Sequence, residues 1–201
     1  MLYSELQCSD AIHKAVERMG FAEMTEIQEK TIPVMMAGYD VIAKAPTGTG
    51  KTCAFGIPVA EHILPENKYP QAVIMAPTRE LAQQIAQELE ELTYFMPEVQ
   101  VACVYGGANM EKQAKRLAEG CQIVVATPGR LMDHYKHHSI DISHVTQIVL
   151  DEADEMLNMG FYKDVRHIIE MMKARKSLSM FSATILSLIH ISEPTRPISI
   201  S

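Results

Sequence analysis

Ala45-Pro46-Thr47-Gly48-Thr49-Gly50-Lys51-Thr52 follows directly on an apolar run, 40–45, and directly precedes a stretch of helical period. Gly48 and Gly50 let the backbone turn so tightly that successive N–H groups face one side. A helix opening at the same point adds the positive end of its dipole, so the segment has the makings of a phosphate cradle. Lys51 brings a full positive charge to the β and γ phosphates, and the Thr52 hydroxyl can ligate Mg²⁺. The spacing is that of a Walker A loop, with Ala45 where the common pattern has Gly. An ordinary glycine-rich loop with an exposed lysine is the competing reading of these eight residues; the strand-loop-helix setting weighs against it.

Outward from this loop, short Val- and Ile-rich runs at 40–45, 72–76, 100–105, 123–127, 148–151 and 178–182 alternate with stretches of helical period. The helical stretches are 51–64, 79–95, 110–119, 129–137 and 162–174, with a further helical segment at 10–36. Runs apolar on both faces predict buried parallel strands. Their alternation with helices predicts right-handed βαβ units, hence an α/β fold with a doubly wound parallel sheet. Ligands of such sheets lie beyond the C-terminal strand ends. The six strand-end junctions read APTGTGKT, APTRELA, YGG, TPGR, DEAD and SAT.

Asp151-Glu152-Ala153-Asp154 closes the apolar run 147–150. A carboxylate at the end of a buried strand is where a metal ligand of a P-loop enzyme sits, so Asp151 is expected to hold Mg²⁺ and Glu152 to orient and deprotonate a water. Taken alone, the four residues would equally serve as an acidic helix start.

The 201 residues are 47% hydrophobic and 21% charged, enough for a substantial core. Net charge is −7, from 18 basic and 25 acidic residues. That excludes a protein that coats nucleic acid through a broad basic face, so any such contact must be local. No apolar run approaches the ~18 residues of a membrane helix, and the N-terminus lacks a secretory pattern. A cytoplasmic location and no membrane partner are therefore expected. Cys8, Cys53, Cys103 and Cys121 show no metal-type spacing and read as free thiols filling space. His134, His137 and His138 read as a solvated helix end rather than a metal site.

With both motifs placed, the chain resembles the DEAD-box ATP-dependent RNA helicases, collinearly over residues 3–185. The resemblance implies a helical Q-motif extension at 1–38 and a RecA-like P-loop NTPase domain at 39–185, with ATP and Mg²⁺ as ligands. The segment Gly20-Phe21-Ala22-Glu23-Met24-Thr25-Glu26-Ile27-Gln28 resembles the Q motif, with Met24 where the family usually has Pro. Phe21, Thr25 and Gln28 are thereby assigned to the nucleotide. A Gln side chain offers one donor and one acceptor to the N6 and N7 edge of adenine, which implies ATP over GTP. Tyr3 occupies the place of an upstream family Phe and could stack on the base, a packing role being the alternative.

Pro77-Thr78-Arg79, Gly106-Gly107 and Thr127-Pro128-Gly129-Arg130 resemble the motifs that clamp the sugar-phosphate backbone of one RNA strand. Single-stranded or short duplex RNA is the implied partner, bound with little sequence preference because backbone contacts carry no base information. Recognition of 2′-hydroxyls would favour RNA over DNA. Ser182-Ala183-Thr184 resembles the motif coupling ATP state to strand separation, through hydrogen bonds to Asp154. Singly, each is also a plain turn or strand end; order and placement carry the reading.

In the family a second RecA-like domain closes over ATP and RNA and lends arginines to the γ phosphate. After Ile185 the chain instead reads LSLIHISEPTRPISIS, and 186–196 matches the conceptual translation of a sequencing-library transposon adapter. Residues 186–201 are therefore expected to be non-native and the second domain absent, leaving weak nucleotide and RNA binding and almost no unwinding. Two other readings stay open: another P-loop enzyme, such as a nucleic-acid translocase or transporter subunit, and a non-catalytic RNA-binding fragment.

Overall fold

Four-residue runs such as Val-Ile-Ala-Lys and Ile-Val-Val-Ala become strands because β-branched and small side chains fill both faces of a buried sheet. In the computed structural model, which describes residues 1–184 and 197–200, the strands are β1 (Val41–Lys44), β2 (Ala72–Met75), β3 (Val101–Val104), β4 (Ile123–Ala126), β5 (Gln147–Leu150), β6 (Ser177–Ser182) and β7 (Ile198–Ile200). All pair in parallel, in the order β3-β4-β2-β5-β6-β1-β7.

Strands β1 to β6 divide their side chains between two apolar clusters. Ala72 and Ile74 of β2 enter one while Val73 and Met75 enter the other, and β4 splits Ile123 and Val125 from Val124 and Ala126. The first cluster is covered by α1 (Asp10–Arg18), α2 (Glu26–Met36), α3 (Lys51–Glu61) and α4 (Arg79–Leu92). The second is covered by α5 (Met110–Ala118), α6 (Pro128–Lys136), α7 (Ala153–Asn158) and α8 (Tyr162–Met171). The earlier half of the chain thus roofs one face and the later half the other, which is the doubly wound arrangement expected.

Helix starts are capped by the residues their sequences provide. Thr78 accepts from Leu81 N–H at 3.2 Å and Asn109 from Lys112 N–H at 2.9 Å, each satisfying a donor that the first turn leaves unpaired. Helix α3 differs from its neighbours in being buried from Lys51 to Ala60, so it carries no amphipathic stripe. It sits under the phosphate loop as the central helix of its layer.

Several expectations need adjustment. The single helical segment 10–36 is two helices, α1 and α2, because Gly20 takes a left-handed turn (φ +80°) and the chain runs non-helically up to Thr25. Helix α7 was not expected, being too short to show a period. Among the described residues the sheet has a seventh strand besides the six expected: Ile198–Ile200, within the segment expected to be non-native and given no place in the fold, pair with β1, and Ile200 joins the first cluster. The expected boundary after Ile185 and the segment 186–196 lie outside the described residues. Among the described residues no helix is long and apolar enough to cross a membrane.

Strand order also sorts the chemistry. β5, β6 and β1 are neighbours, and their ends carry the acidic motif, the Ser-Ala-Thr motif and the phosphate loop. β3, β4 and β2 are neighbours on the other half, and their ends carry the Gly-Gly, TPGR and PTR segments. Hydrogen bonds from Ala45 N–H to Ser182 O (2.9 Å) and from Asp151 N–H to Met75 O (3.0 Å) extend the ladder one residue into these loops. The first residue of each loop is therefore fixed by the sheet.

Candidate nucleotide and RNA site

The phosphate loop is held open at its base by two left-handed glycines, Gly48 and Gly50, both at φ +82°. Lys51 emerges from it almost fully buried and lies 3.3 Å from Asp151 Oδ1 while also hydrogen-bonding Glu152 Oε1. The Thr47 hydroxyl donates to the same Glu152 oxygen at 3.0 Å. The loop and the acidic motif are thus cross-linked through one ammonium. Burial pushes the Asp151 carboxyl above its usual range, opposed by Lys51 and reinforced by Glu152. Glu152 adopts a left-handed conformation, φ 49°, at the start of α7, a strained setting for a residue with a Cβ.

One strand further on, Asp154 Oδ2 accepts from Thr184 N–H at 3.1 Å and from the Thr184 hydroxyl at 3.0 Å. Partial burial tends to raise the Asp154 carboxyl, but bonds from Ser182 and Thr184 outweigh it and hold the group below its ordinary value. The Ser-Ala-Thr motif therefore meets the acidic motif at Asp154, as the sequence suggested.

Beside the loop lies a cavity of about 510 Å³ bordered by Phe21, Thr25, Gln28, Lys51, Thr52 and Asp151. Here two expectations change. Tyr3 is only 5% exposed; it packs against Phe21 with ring centroids 6.4 Å apart and spends its hydroxyl on Gln28. The open aromatic face is that of Phe21, 45% exposed. Gln28, expected to face a base with both ends of its amide, instead bonds within the protein: to Tyr3, to Thr25 N–H at 2.9 Å and to Gly50 O at 3.0 Å. Thr25 and Gln28 also form a capping box at the start of α2. The T-x-x-Q spacing that signals such a box stands in the sequence and gives Gln28 a structural reason to be there. Thr25 further ties α2 to the loop through Thr49 O at 2.9 Å.

On the other half of the sheet edge, Arg79 is exposed and its guanidinium lies 5.3 Å from the centroid of the Tyr105 ring, whose hydroxyl accepts from Gln83 at 2.9 Å. Gly106 and Gly107 are exposed, and Pro128 is buried at the first turn of α6 behind Thr127 and Gly129. Arg130, which the resemblance assigns to the RNA backbone, points into the protein: it donates to Ala108 O and to Gln113 Oε1, both at 3.0 Å. Gln113 in turn donates to Tyr105 O at 3.1 Å and accepts from His134 Nε2 at 3.1 Å. One buried carboxamide therefore fastens the Gly-Gly loop to the TPGR helix. The sequence signal for it was a polar residue four before Leu117 on the inward face of α5.

His134 is not part of a solvated helix end as expected; it is fully buried, whereas His137 and His138 are exposed. Burial, and next the Arg130 charge, lower its proton affinity below the ordinary imidazole value. A neutral folded-state imidazole stabilises the protein above a pH of about 6.5, and that stability drains as pH falls through the lowered value, because the unfolded chain binds the proton first. Between pH 7.5 and 5 the thermal midpoint of the wild-type chain should fall more steeply than that of His134→Gln; equal slopes would contradict this. The four cysteines are free, and burial pushes the Cys53 thiol up to about 12 and that of Cys121 to about 11, so neither is a reactive thiolate.

A phosphate-type loop, an acidic strand end and a Ser-Ala-Thr strand end in contact are the arrangement on which comparison with known proteins turns. Residues 25–190 match the DEAD/DEAH box helicase family. The chain belongs to that family. Among curated DEAD-box proteins, it is 50% identical over 184 residues to the ATP-dependent RNA helicase CshA of Limosilactobacillus reuteri, covering 92% of this chain and 37% of that protein. It is 43% identical to the ATP-dependent RNA helicase DeaD of Mycobacterium tuberculosis, covering 90% and 32%. A crystal structure of a DEAD box protein from Methanococcus jannaschii superposes with a TM-score of 0.90 at 38% identity, covering all of this chain and 56% of that one. This DEAD-box chain thus spans about a third of the length of the curated relatives it matches, and its fold is that of the RecA-like domains of solved DEAD-box proteins.

Proposed function

We propose that this DEAD-box chain binds ATP with Mg²⁺ beside α3, holds RNA along the ends of β2, β3 and β4, and works with a second RecA-like domain to couple ATP hydrolysis to local unwinding. The observation that carries the nucleotide part is Lys51 lodged between the phosphate loop and the carboxylates of Asp151 and Glu152. An ammonium bridging those groups marks the position where phosphate charge and a divalent cation would be exchanged for it.

The donors present fit Mg²⁺ brought with a triphosphate. Among the described residues no three His, Cys, Asp or Glu gather into a cage, while the Thr52 hydroxyl and Asp151 both border the cavity. Mg²⁺ characteristically takes one or two protein ligands and completes its shell with water and phosphate oxygens, whose charge it neutralises. The residues supply the remainder. Loop amides from 48 to 52 orient the phosphates, Lys51 adds charge, and Glu152, freed from Lys51, is placed to receive a proton from water. Phe21 offers its ring to the base. Asp154, bonded to Thr184, passes a shift of the acidic motif to β6.

Arg79, Gly106, Gly107, Thr127 and Gly129 would meet the RNA backbone, with Arg130 bracing them from behind. Arginines of a second domain would add about 10³–10⁵ to the rate, by analogy with other phosphoryl-transfer enzymes. A cytoplasmic location belongs to the same proposal and is supported by the four free thiols.

Titration of the 201-residue chain with a ribose-labelled fluorescent ATP, and crosslinking to a 4-thiouridine RNA mapped by mass spectrometry, test the proposal. Weak, Mg²⁺-dependent nucleotide binding and crosslinks at 77–79, 106–107 and 127–129 are expected, with no RNA-stimulated hydrolysis. Vigorous RNA-stimulated hydrolysis by this chain alone would refute the need for a second domain. Preferential crosslinking to DNA would favour a different P-loop translocase.

A further inference from the structure

We infer that Tyr105 is a positioning residue for RNA, its ring holding the Arg79 guanidinium ready for a phosphate. The inference rests on the RNA reading of this sheet edge and adds a residue that the three RNA-type segments do not include. Arg79 and Gln83 stand four apart in α4 and so share one face of its first turns. Both meet Tyr105. The Gln83 amide donates to the Tyr105 hydroxyl at 2.9 Å, and the Arg79 guanidinium carbon lies 5.3 Å from the ring centroid. The Tyr105 carbonyl accepts from the buried Gln113 amide at 3.1 Å. The half-buried ring, directly after β3, is thus anchored through both its hydroxyl and its backbone.

What the ring does for Arg79 follows from the chemistry of the pair. A long, exposed arginine gives up rotamer freedom when it clamps a phosphate. Attraction to the ring quadrupole confines the guanidinium beforehand. A carboxylate would confine it too, but would neutralise the charge and occupy the N–H donors. Arg18 and Arg166 are ion-paired in that way, and Arg116 and Arg130 spend donors on carbonyl oxygens. Among the described residues Arg79 makes no hydrogen bond or ion pair, and its partner is the ring. Five donors in a planar fork therefore remain for phosphate oxygens. Their place is set as well: Nη1 lies 3.9 Å from where a Cβ on Gly107 would stand, so the charge sits beside the Gly-Gly loop. In a chain of net charge −7, a cation ordered at that loop supplies locally what a broad basic face would supply elsewhere.

Binding of a fluorescein-labelled oligouridylate to the 201-residue chain, followed by anisotropy over a salt series, tests the assignment. The variants are Tyr105→Leu, Tyr105→Phe, Arg79→Ala and the double Arg79→Ala/Tyr105→Leu, each with a melting curve and an ATP titration. Tyr105→Leu should weaken RNA binding about two- to fivefold, the factor of one exposed cation–π contact. It should leave the salt slope unchanged, because Arg79 still reaches its phosphate. Tyr105→Phe, which keeps the ring, should restore affinity to within about twofold of wild type. Arg79→Ala should cost roughly tenfold and reduce the salt slope by about 0.7, the share of one single-strand phosphate. In the double variant Tyr105→Leu should add nothing to the loss from Arg79→Ala, a coupling that general loosening of the Gly-Gly loop would not produce. Equal losses from Tyr105→Leu with and without Arg79, or no loss from it while Arg79→Ala weakens binding, overturn the inference alone. No effect of Arg79→Ala, or no RNA binding by the wild-type chain, overturns the RNA reading and this inference with it.

Discussion

Lys51→Ala is expected to weaken nucleotide binding by about 10²–10³-fold, the range found when one partner of a buried charge pair is truncated. The same substitution should destabilise the unliganded chain by about 3–5 kcal/mol. Both effects come from one position. The Lys51 and Asp151 side chains are 6% and 3% exposed, so removing the ammonium leaves a buried carboxylate with Glu152 beside it and no cation. The pair of effects can be separated. Adding Asp151→Asn to Lys51→Ala removes the orphaned charge, so stability should largely return while affinity does not, a non-additivity that a double-mutant cycle reads directly. Urea unfolding with and without nucleotide measures both. A loss below about 1 kcal/mol in the single variant would mean that the Lys51–Asp151 pair contributes no more than a surface ion pair does.

Gly50→Ala is expected to be nearly as damaging, for a steric reason. Gly50 sits at φ +82°, and a Cβ there would lie 2.4 Å from Gln28 Nε2 and 3.3 Å from its carboxamide carbon. A left-handed conformation costs an alanine about 1–2 kcal/mol, and overpacking a filled site adds about 1–3 kcal/mol. Gln28 must give way, and with it go the bonds to Gly50 O and Tyr3 that seat α2 against the loop. Nucleotide affinity should fall by roughly tenfold or more, following the energy of the hydrogen bonds disrupted. Gly48→Ala supplies the comparison. It has the same φ, but the Cβ of an alanine there would meet nothing within 4 Å, so its stability loss should be confined to about 1–2 kcal/mol of backbone strain. Equal losses in the two variants would show that contact with Gln28 is not what Gly50 protects.

Much of the site was legible in the chain because its signals are local. Gly48, Gly50, Lys51 and Thr52 are placed by a turn and a helix start that their own spacing dictates, and Asp151 by the end of an apolar run. Arg79 and the Gly106-Gly107 pair are likewise exposed at strand ends, as the junctions implied. What misled was direction. Arg130 and His134 sit on one short helix whose period shows no strong apolar stripe, yet both turn inward because Gln113, from a helix earlier in the chain, offers a buried acceptor. Tyr3 and Gln28 meet across 25 residues, and no window of sequence contains that bond.

By itself, then, the sequence determined the parallel α/β sheet and the chemistry available at each strand end, since buried strands need continuous apolar runs and tight turns need glycine. Only the tertiary structure decided which ends become neighbours. Along the chain the phosphate loop is followed by the three RNA-type segments before the acidic and Ser-Ala-Thr motifs appear. Crossovers that carry β1 to the side of β6 and β5 bring Lys51 onto Asp151 and Glu152, and leave the three RNA-type segments together on the other half of the edge. Strand order is set by how helices pack over both faces of the sheet, a long-range balance of buried surface that no local residue pattern encodes.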